Sequence, residues 1–175
     1  DAFNKGILAA TGDIVGFLHA DDLFAGPEVL SRLVSCLKQA NANAVYADLK
    51  YVDRADPARV IRHWRSGSFS NRQLAWGWMP PHPTLFVDRK HFMDVGLFDT
   101  QFRIAGDYDH MLRLLTHDAT EVAYLPEVVT LMRVGGVSNR SLKNLRKKSS
   151  EDYRIIRKHL GRGGLTLLAK NVRKV

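Results

Sequence analysis

The chain has 175 residues, 45% of them hydrophobic, and a formal net charge of +8. That is enough chain to bury a sizeable core, and no run approaches the roughly 18 continuous apolar residues of a membrane span. A single cysteine, Cys36, excludes an internal disulfide and fits a reducing, cytoplasmic compartment.

In chain order, the first element is a helix from Asp1 to Ala10, ending near Gly12. An apolar strand, Ile14 to Leu18, follows and stops abruptly on His19-Ala20-Asp21-Asp22. Gly26-Pro27-Glu28 opens a second helix, with Pro at a tolerated first-turn position and Glu favourable to the helix dipole. Leu30, Leu33, Val34 and Leu37 recur at helical spacing and give it one buried face. Cys36 sits on this helix as a core-edge residue. Strands are expected at Ala44 to Ala47 and Leu49 to Val52, and a turn-rich variable loop from Arg54 to Ser70. Thr84 to Val87 reads as a strand, Arg89 to Val95 as a short helix stopped by Gly96, and Asp107 to His117 as another helix. Glu121 to Leu125 and Val128 to Val134 read as strands separated by Pro126. There is no internal repeat and no low-complexity tract, and the alternation predicts a mixed α/β sheet with helices on its faces.

The charge is unevenly placed. Ser141 to Val175 holds eleven Lys or Arg against Glu151 and Asp152, a net of +9, which leaves about −1 for residues 1–140. Leu142, Leu145, Ser149, Tyr153, Ile156 and Leu160 follow a helical period there, with basic residues spread around them. Two readings stay open: a basic amphipathic helix lying on an anionic bilayer surface, or a solvated helix packed on the preceding domain. Nucleic acid is not indicated, because no aromatic interleaving or recognition motif accompanies the charge.

Several short motifs occur in a telling order: Asn4-Lys5-Gly6, Thr11-Gly12-Asp13, the strand ending in Asp21-Asp22, Gly106-Asp107-Tyr108-Asp109, and Gly135-Gly136-Val137-Ser138. Together they resemble the family 2 glycosyltransferases, inverting enzymes of the GT-A fold that use sugar nucleotides. The resemblance covers about residues 1–138. It implies a GT-A type, Rossmann-like mixed sheet flanked by helices, with residues 1–140 forming a partial catalytic domain and 141–175 a basic helical tail. Compared with the family, the first βαβ portion is absent, so the chain is expected to be a fragment that alone binds sugar nucleotide poorly.

The resemblance also implies roles. Asp21, helped by Asp22 and His19, would hold a divalent metal, Mn or Mg, against the diphosphate of the donor; His19 departs from the commoner acidic residue, and a lone His at a strand end also reads as a hydrogen-bonding residue. Asp21 and Asp22 equally read as a loop start capping the next helix. Asn4, Lys5 and Arg133 complete the expected donor-binding set. Asp107 is the candidate general base, taking the proton from an acceptor hydroxyl as it attacks the anomeric carbon; an Asp there also suits a helix N-cap. Asp109 and Arg113, four apart, read as an intrahelical ion pair. In Trp76-Gly77-Trp78-Met79-Pro80-Pro81-His82, Trp78 and His82 are candidates for contact with a polysaccharide or lipid-linked acceptor, against a reading in which the tryptophans only bury loop surface. The expected activity is transfer of a sugar from a nucleotide-diphosphate sugar to such an acceptor, on the inner face of the cell membrane. The alternative is a non-catalytic, membrane-associated scaffold whose acids are residual.

Overall fold

The computed structural model describes residues 2–134, 142–161 and 163–172, with the side chains of 142–145 excepted. The Gly135-Gly136-Val137-Ser138 motif, the expected boundary at 140/141, and the side chains of Leu142 and Leu145 therefore lie outside the described residues.

The centre of the fold is β3 (Ala44–Val52), a single nine-residue strand spanning both expected segments. Its alternation sorts side chains to two faces. Ala44 and Tyr46 join a large core with Val15, Val87, Phe92 and Leu112. Val45 and Ala47 point the other way, onto Val29, Leu33 and Leu37 of α2 (Val29–Gln39). The expected buried face holds at Leu33 and Leu37, while in the first turn Val29 is buried in place of Leu30, which is about half exposed. Cys36 is half-buried at the edge of that second core.

Along one side β3 pairs in parallel with β6 (Val122–Arg133), which in turn pairs antiparallel with the short β2 (Leu23–Phe24). The two strands expected around Pro126 are one strand. Its register slips between the pairs Ala47–Leu125, Asp48–Val128 and Leu49–Thr130, so the proline, which has no N–H to give, sits in the irregular stretch where a ladder bond is dispensable.

On its other side β3 has two partners in succession. β5 (Phe86–Asp88) pairs with Ala44 and Val45, and β4 (Val60–Trp64) pairs with Leu49 to Val52. β4 corrects the expected loop: its side chains are mostly exposed, so its strand character rests on backbone pairing at the sheet edge and left little apolar pattern to read. Where the two partners part, the edge of β3 is closed by side chains. Thr84 Oγ1 and Ser66 Oγ both donate to the Ala47 carbonyl, at 3.0 and 2.8 Å. Thr84 belongs to a 3-10 turn, His82–Thr84, rather than to β5. β1 (Ile14–Gly16) pairs with the far side of β5.

Helices α1 (Ala2–Ala9), α4 (Arg89–Val95) and α5 (Gly106–Leu115) cover the larger core. A short α3 (Asn71–Ala75) carries a capping box between Ser70 and Gln73. The basic tail forms α6 (Leu142–Leu160) and α7 (Gly164–Val172). Ile155 and Ile156 of α6 are fully buried in the same core as Tyr46 and Leu112. Of the expected apolar positions, Ile156 faces the domain, whereas Tyr153 is exposed.

Candidate active site

A cleft of about 1440 Å³ opens where β4 and β5 diverge, and His19, Trp78, His82, Asp107, Lys148 and Asp152 are among the residues lining it. Residues from β1's end, the β4–β5 connection, the start of α5 and the tail thus meet in one concavity.

β1 ends at Gly16, two residues earlier than expected, so His19 to Asp22 form a turn closed by the Asp22 N–H donating to the His19 carbonyl at 2.9 Å. A Cβ on Gly16 would collide with the Phe86 ring on the neighbouring strand at 2.3 Å, which is why this strand carries glycine. The acidic pair does not cap α2, which begins only at Val29; it leads into β2. Asp21 is half-exposed, with Arg54 donating to its carboxylate at 3.2 Å. Asp22 is buried, and its Oδ2 has no hydrogen-bond partner among the described residues. Burial pushes the Asp22 carboxyl above its ordinary value, opposed by the charge of His19 and reinforced by that of Asp21. The Arg133 backbone N–H donates to Asp22, and the buried Nε of Arg133 likewise lacks a partner among the described residues. A buried carboxylate oxygen and a buried guanidinium nitrogen, both without a partner among the described residues, are polar atoms of the kind that a charged ligand satisfies.

No three His, Cys, Asp or Glu side chains among the described residues converge as a ready ligand set, so the expected trio of His19, Asp21 and Asp22 is not assembled as one. His19 instead joins a ring cluster, 5.8 Å from Phe3 and 5.7 Å from His82 between centroids. Asp22 with Asp21 fits a hard cation of the kind held by one or two carboxylates and shared with substrate phosphates.

Of the other expected donor residues, Asn4 is fully engaged elsewhere: its Nδ2 donates to the Phe98 carbonyl and its Oδ1 accepts from the Phe98 N–H, both at 2.9 Å. This clasp ties α1 to the segment after α4. Lys5 is exposed on α1. Neither is among the residues that line the cleft.

His82 is buried, stacked 5.7 Å from Phe17. Its burial lowers its proton affinity, the carboxylate of Asp107 raises it, and His19 lowers it. The two sequence-distant halves of the site are therefore electrostatically coupled through this ring. Trp78 is also buried, its Nε1 donating to the Ser66 carbonyl at 2.9 Å, so it forms cleft wall and leaves little ring face open. Trp76, by contrast, is exposed.

Asp107 lies in the first turn of α5, half-buried, with its Oδ1 accepting from the Tyr108 N–H at 2.8 Å. It is not the N-cap. That position is Ala105, and the approach to it is held from another helix: buried Glu151 of α6 accepts from the N–H groups of Arg103, Ile104 and Ala105 at 3.3, 2.9 and 2.9 Å. A second clamp is Asp109, fully buried, which meets Arg113 at 3.0 Å, His159 at 2.8 Å and Lys158 at 3.6 Å. Burial alone would raise the Asp109 carboxyl, but the His159 hydrogen bond and the Arg113 and Lys158 charges outweigh it and hold it below its ordinary value. Arg113, read as structural, also donates to the Val95 and Leu97 carbonyls at 3.0 and 2.7 Å, fixing the end of α4.

Sequence reasoning missed what the tail supplies. Lys148, Asp152 and Lys170 line the cleft; Asp152 and Lys170 pair at 2.7 Å while buried, with the Lys170 ammonium 3.0 Å from the centroid of the Tyr108 ring. A signal existed, since Glu151 and Asp152 are the only acids among eleven basic residues.

A family model described as glycosyl transferase family 2 matches residues 1–97, more than half of the chain. The chain belongs to glycosyl transferase family 2. The matched segment holds the Asp21-Asp22 turn and His82, while Asp107 and Glu151 lie beyond it. A PGL/p-HBAD biosynthesis glycosyltransferase of Mycobacterium bovis is 29% identical over 140 residues, covering 79% of this chain and 52% of that protein. An uncharacterized glycosyltransferase of Mycobacterium tuberculosis is 32% identical over 114 residues, 65% of this chain and 42% of its own length. The chain thus spans about half the length of the curated relatives it matches. Among solved structures, S. aureus TarS 1-349 in complex with UDP superposes with a TM-score of 0.64 at 14% identity, covering 96% of this chain and 46% of that one. The same protein in complex with UDP-GlcNAc gives 0.58 at 13% identity, covering 91% and 52%. At these identities the likeness concerns the fold, and the family 2 chain has the mixed sheet of the GT-A glycosyltransferases.

Proposed function

We propose that this family 2 chain carries the acceptor-side half of an inverting glycosyltransferase site, which moves a sugar from a nucleotide-diphosphate sugar to a hydroxyl of a polysaccharide or lipid-linked acceptor. The observation that carries the reading is the convergence of Asp107 and His82 on one cleft, with His19 and the buried Asp22 at the end of the adjoining strand.

Asp107 is the general base. A carboxylate in the first turn of a helix, facing a cleft, suits removal of a proton from an acceptor hydroxyl as that oxygen attacks the anomeric carbon. His82, kept neutral by burial, offers one ring nitrogen as donor and one as acceptor for orienting the hydroxyl. Arg133 and the Asp22 turn face the leaving diphosphate. Asp22 and Asp21 are the carboxylates that would hold a Mn or Mg ion, whose chemistry when bound is to offset charge on the departing diphosphate. The TarS complexes with UDP and UDP-GlcNAc support a nucleotide-sugar donor through shared fold.

The deciding assay is release of nucleoside diphosphate from a panel of nucleotide sugars, with and without manganese, in the enzyme carrying this chain. Turnover that Asp107→Asn reduces by about 100-fold or more supports general-base catalysis; undiminished turnover removes Asp107 from the reaction. Absence of turnover with every sugar nucleotide favours the non-catalytic scaffold.

A further inference from the structure

The tail's two acids are both turned inward: Glu151 is spent on backbone N–H groups and Asp152 on Lys170. Among the described residues of α6, Arg146, Lys147, Arg154 and Arg157 are exposed, so the outward face of this helix carries only positive charge. The connection to α7 folds back on that face. A Cβ on Gly163 would lie 2.6 Å from the Tyr153 ring and 3.2 Å from the Arg157 side chain, which brings the start of α7 against the cationic stripe.

α7 is seated by its opposite face. Thr166 donates to the Ala75 carbonyl at 2.9 Å, and Lys170 reaches inward to Asp152. That seating turns Leu165, Leu168 and Val172 outward, 83%, 63% and 66% exposed, at i, i+3 and i+7 on one stripe. Trp76, the neighbour of Ala75, is 65% exposed beside the same helix. A purely cationic face would suit any polyanion. Exposed aliphatic side chains and a tryptophan continuous with it suit only a surface that is anionic at its head and apolar beneath.

We propose that this face docks on an anionic lipid bilayer, with Arg146, Arg154 and Arg157 at the headgroups and Leu165, Leu168 and Val172 entering the interfacial layer. The seat is not the apolar face that the sequence period suggested on α6, since Ile156 belongs to the core and Leu160 packs against it. Docking there sets the cleft, whose wall includes Lys148 and Lys170, close to the membrane surface. The inference does not depend on the transfer reaction.

The test is flotation of the 175-residue chain with vesicles of phosphatidylcholine alone and of phosphatidylcholine mixed with phosphatidylglycerol. Binding is expected only to the mixed vesicles and to weaken with salt. Each basic residue near an anionic surface is worth about fivefold in partitioning, so Arg154→Gln with Arg157→Gln should lose about 25-fold. Leu165→Ser with Leu168→Ser, at exposed positions and checked by circular dichroism, should lose about tenfold or more. Trp76 fluorescence, taken as the difference between the wild type and Trp76→Phe, should shift to the blue on the mixed vesicles. Equal binding to neutral vesicles, binding indifferent to the leucine changes, no tryptophan shift, or tighter binding to a soluble polyanion such as heparin would each overturn the proposal.

Discussion

The Glu151 carboxylate lies 2.9 Å from the backbone nitrogen of Ala105, the N-cap residue of the helix bearing Asp107. A side chain of the tail therefore sets the approach to the candidate base. Replacing Glu151 by Gln keeps the shape but turns an amide N–H₂ toward backbone donors. The expected cost is about 2 kcal/mol in urea unfolding, in the range for bonds to a charged acceptor. Turnover should fall with the KM for donor unchanged, because only the base is displaced. Unchanged turnover together with unchanged stability would sink this role.

His82 provides a readout of the site's electrostatics. Its ring is buried, which lowers its proton affinity, while the charge of Asp107 acts to raise it and that of His19 to lower it. Its NMR titration should have a midpoint below that of an ordinary histidine. Asp107→Asn should move the midpoint further down, and His19→Ala should move it up. Shifts of the opposite sign would mean the three groups do not share the cleft as described.

Asp22 bears on metal binding. Burial raises its carboxyl above the ordinary value of 3.8, and a cation requires the deprotonated form. Mn binding followed by electron paramagnetic resonance should weaken as the pH falls, beginning above the range in which an exposed aspartate titrates. Asp22→Asn should abolish binding across the whole range, whereas binding that persists in this variant assigns the ion elsewhere.

Asp109 predicts acid behaviour of a different sign. Its folded-state affinity for protons is depressed, so its contribution to stability is complete above the ordinary carboxylate value of 3.8 and is lost as the pH falls through the lower folded value. Asp109→Asn leaves Arg113, His159 and Lys158 facing a neutral group and should cost roughly 3 kcal/mol near neutral pH. The difference from wild type should shrink in acid; a constant difference across pH would show that the charge is not what matters.

Gly77 combines two demands, a φ of +70° and a close approach in which a Cβ would lie 2.5 Å from the Lys170 backbone nitrogen. Gly77→Ala should cost about 1–2 kcal/mol for the left-handed conformation alone. It should also loosen α7, read as faster proteolysis after α6. A variant that resists protease like the wild type would mean α7 can shift without loss.

The sequence legibility of this fold followed its apolar patterns. β3 and α2 announce themselves through alternation and helical period, and the acidic turn through the strand that ends at it. β4 was illegible because its residues are exposed and its order comes from pairing with Leu49 to Val52. The site was read in part for a related reason. Asp107 and His82 carry local signals, a helix start and a proline-flanked loop. Glu151 owes its role to backbone groups more than 45 residues away, and Asp152 to Lys170 on the following helix, and no local spacing encodes such a meeting. The Asn4 clasp on Phe98 is not legible either, because an amide that bonds to backbone looks, in sequence, the same as one that faces a ligand.

The divided edge of β3 has an implication for how such a protein changes over time. The segment between Trp64 and Phe86, including Trp78 and His82, is fastened to the sheet near its two ends: Ser66 and Thr84 donate to the Ala47 carbonyl, the Ser66 N–H donates to Asp48, Tyr46 donates to the Gly67 carbonyl and Thr130 to the Pro83 carbonyl. β4 and β5 take their registers from opposite ends of β3 and not from each other. Changes of length that leave the six strands aligned therefore belong between these anchors, after Gly67 and before Pro83.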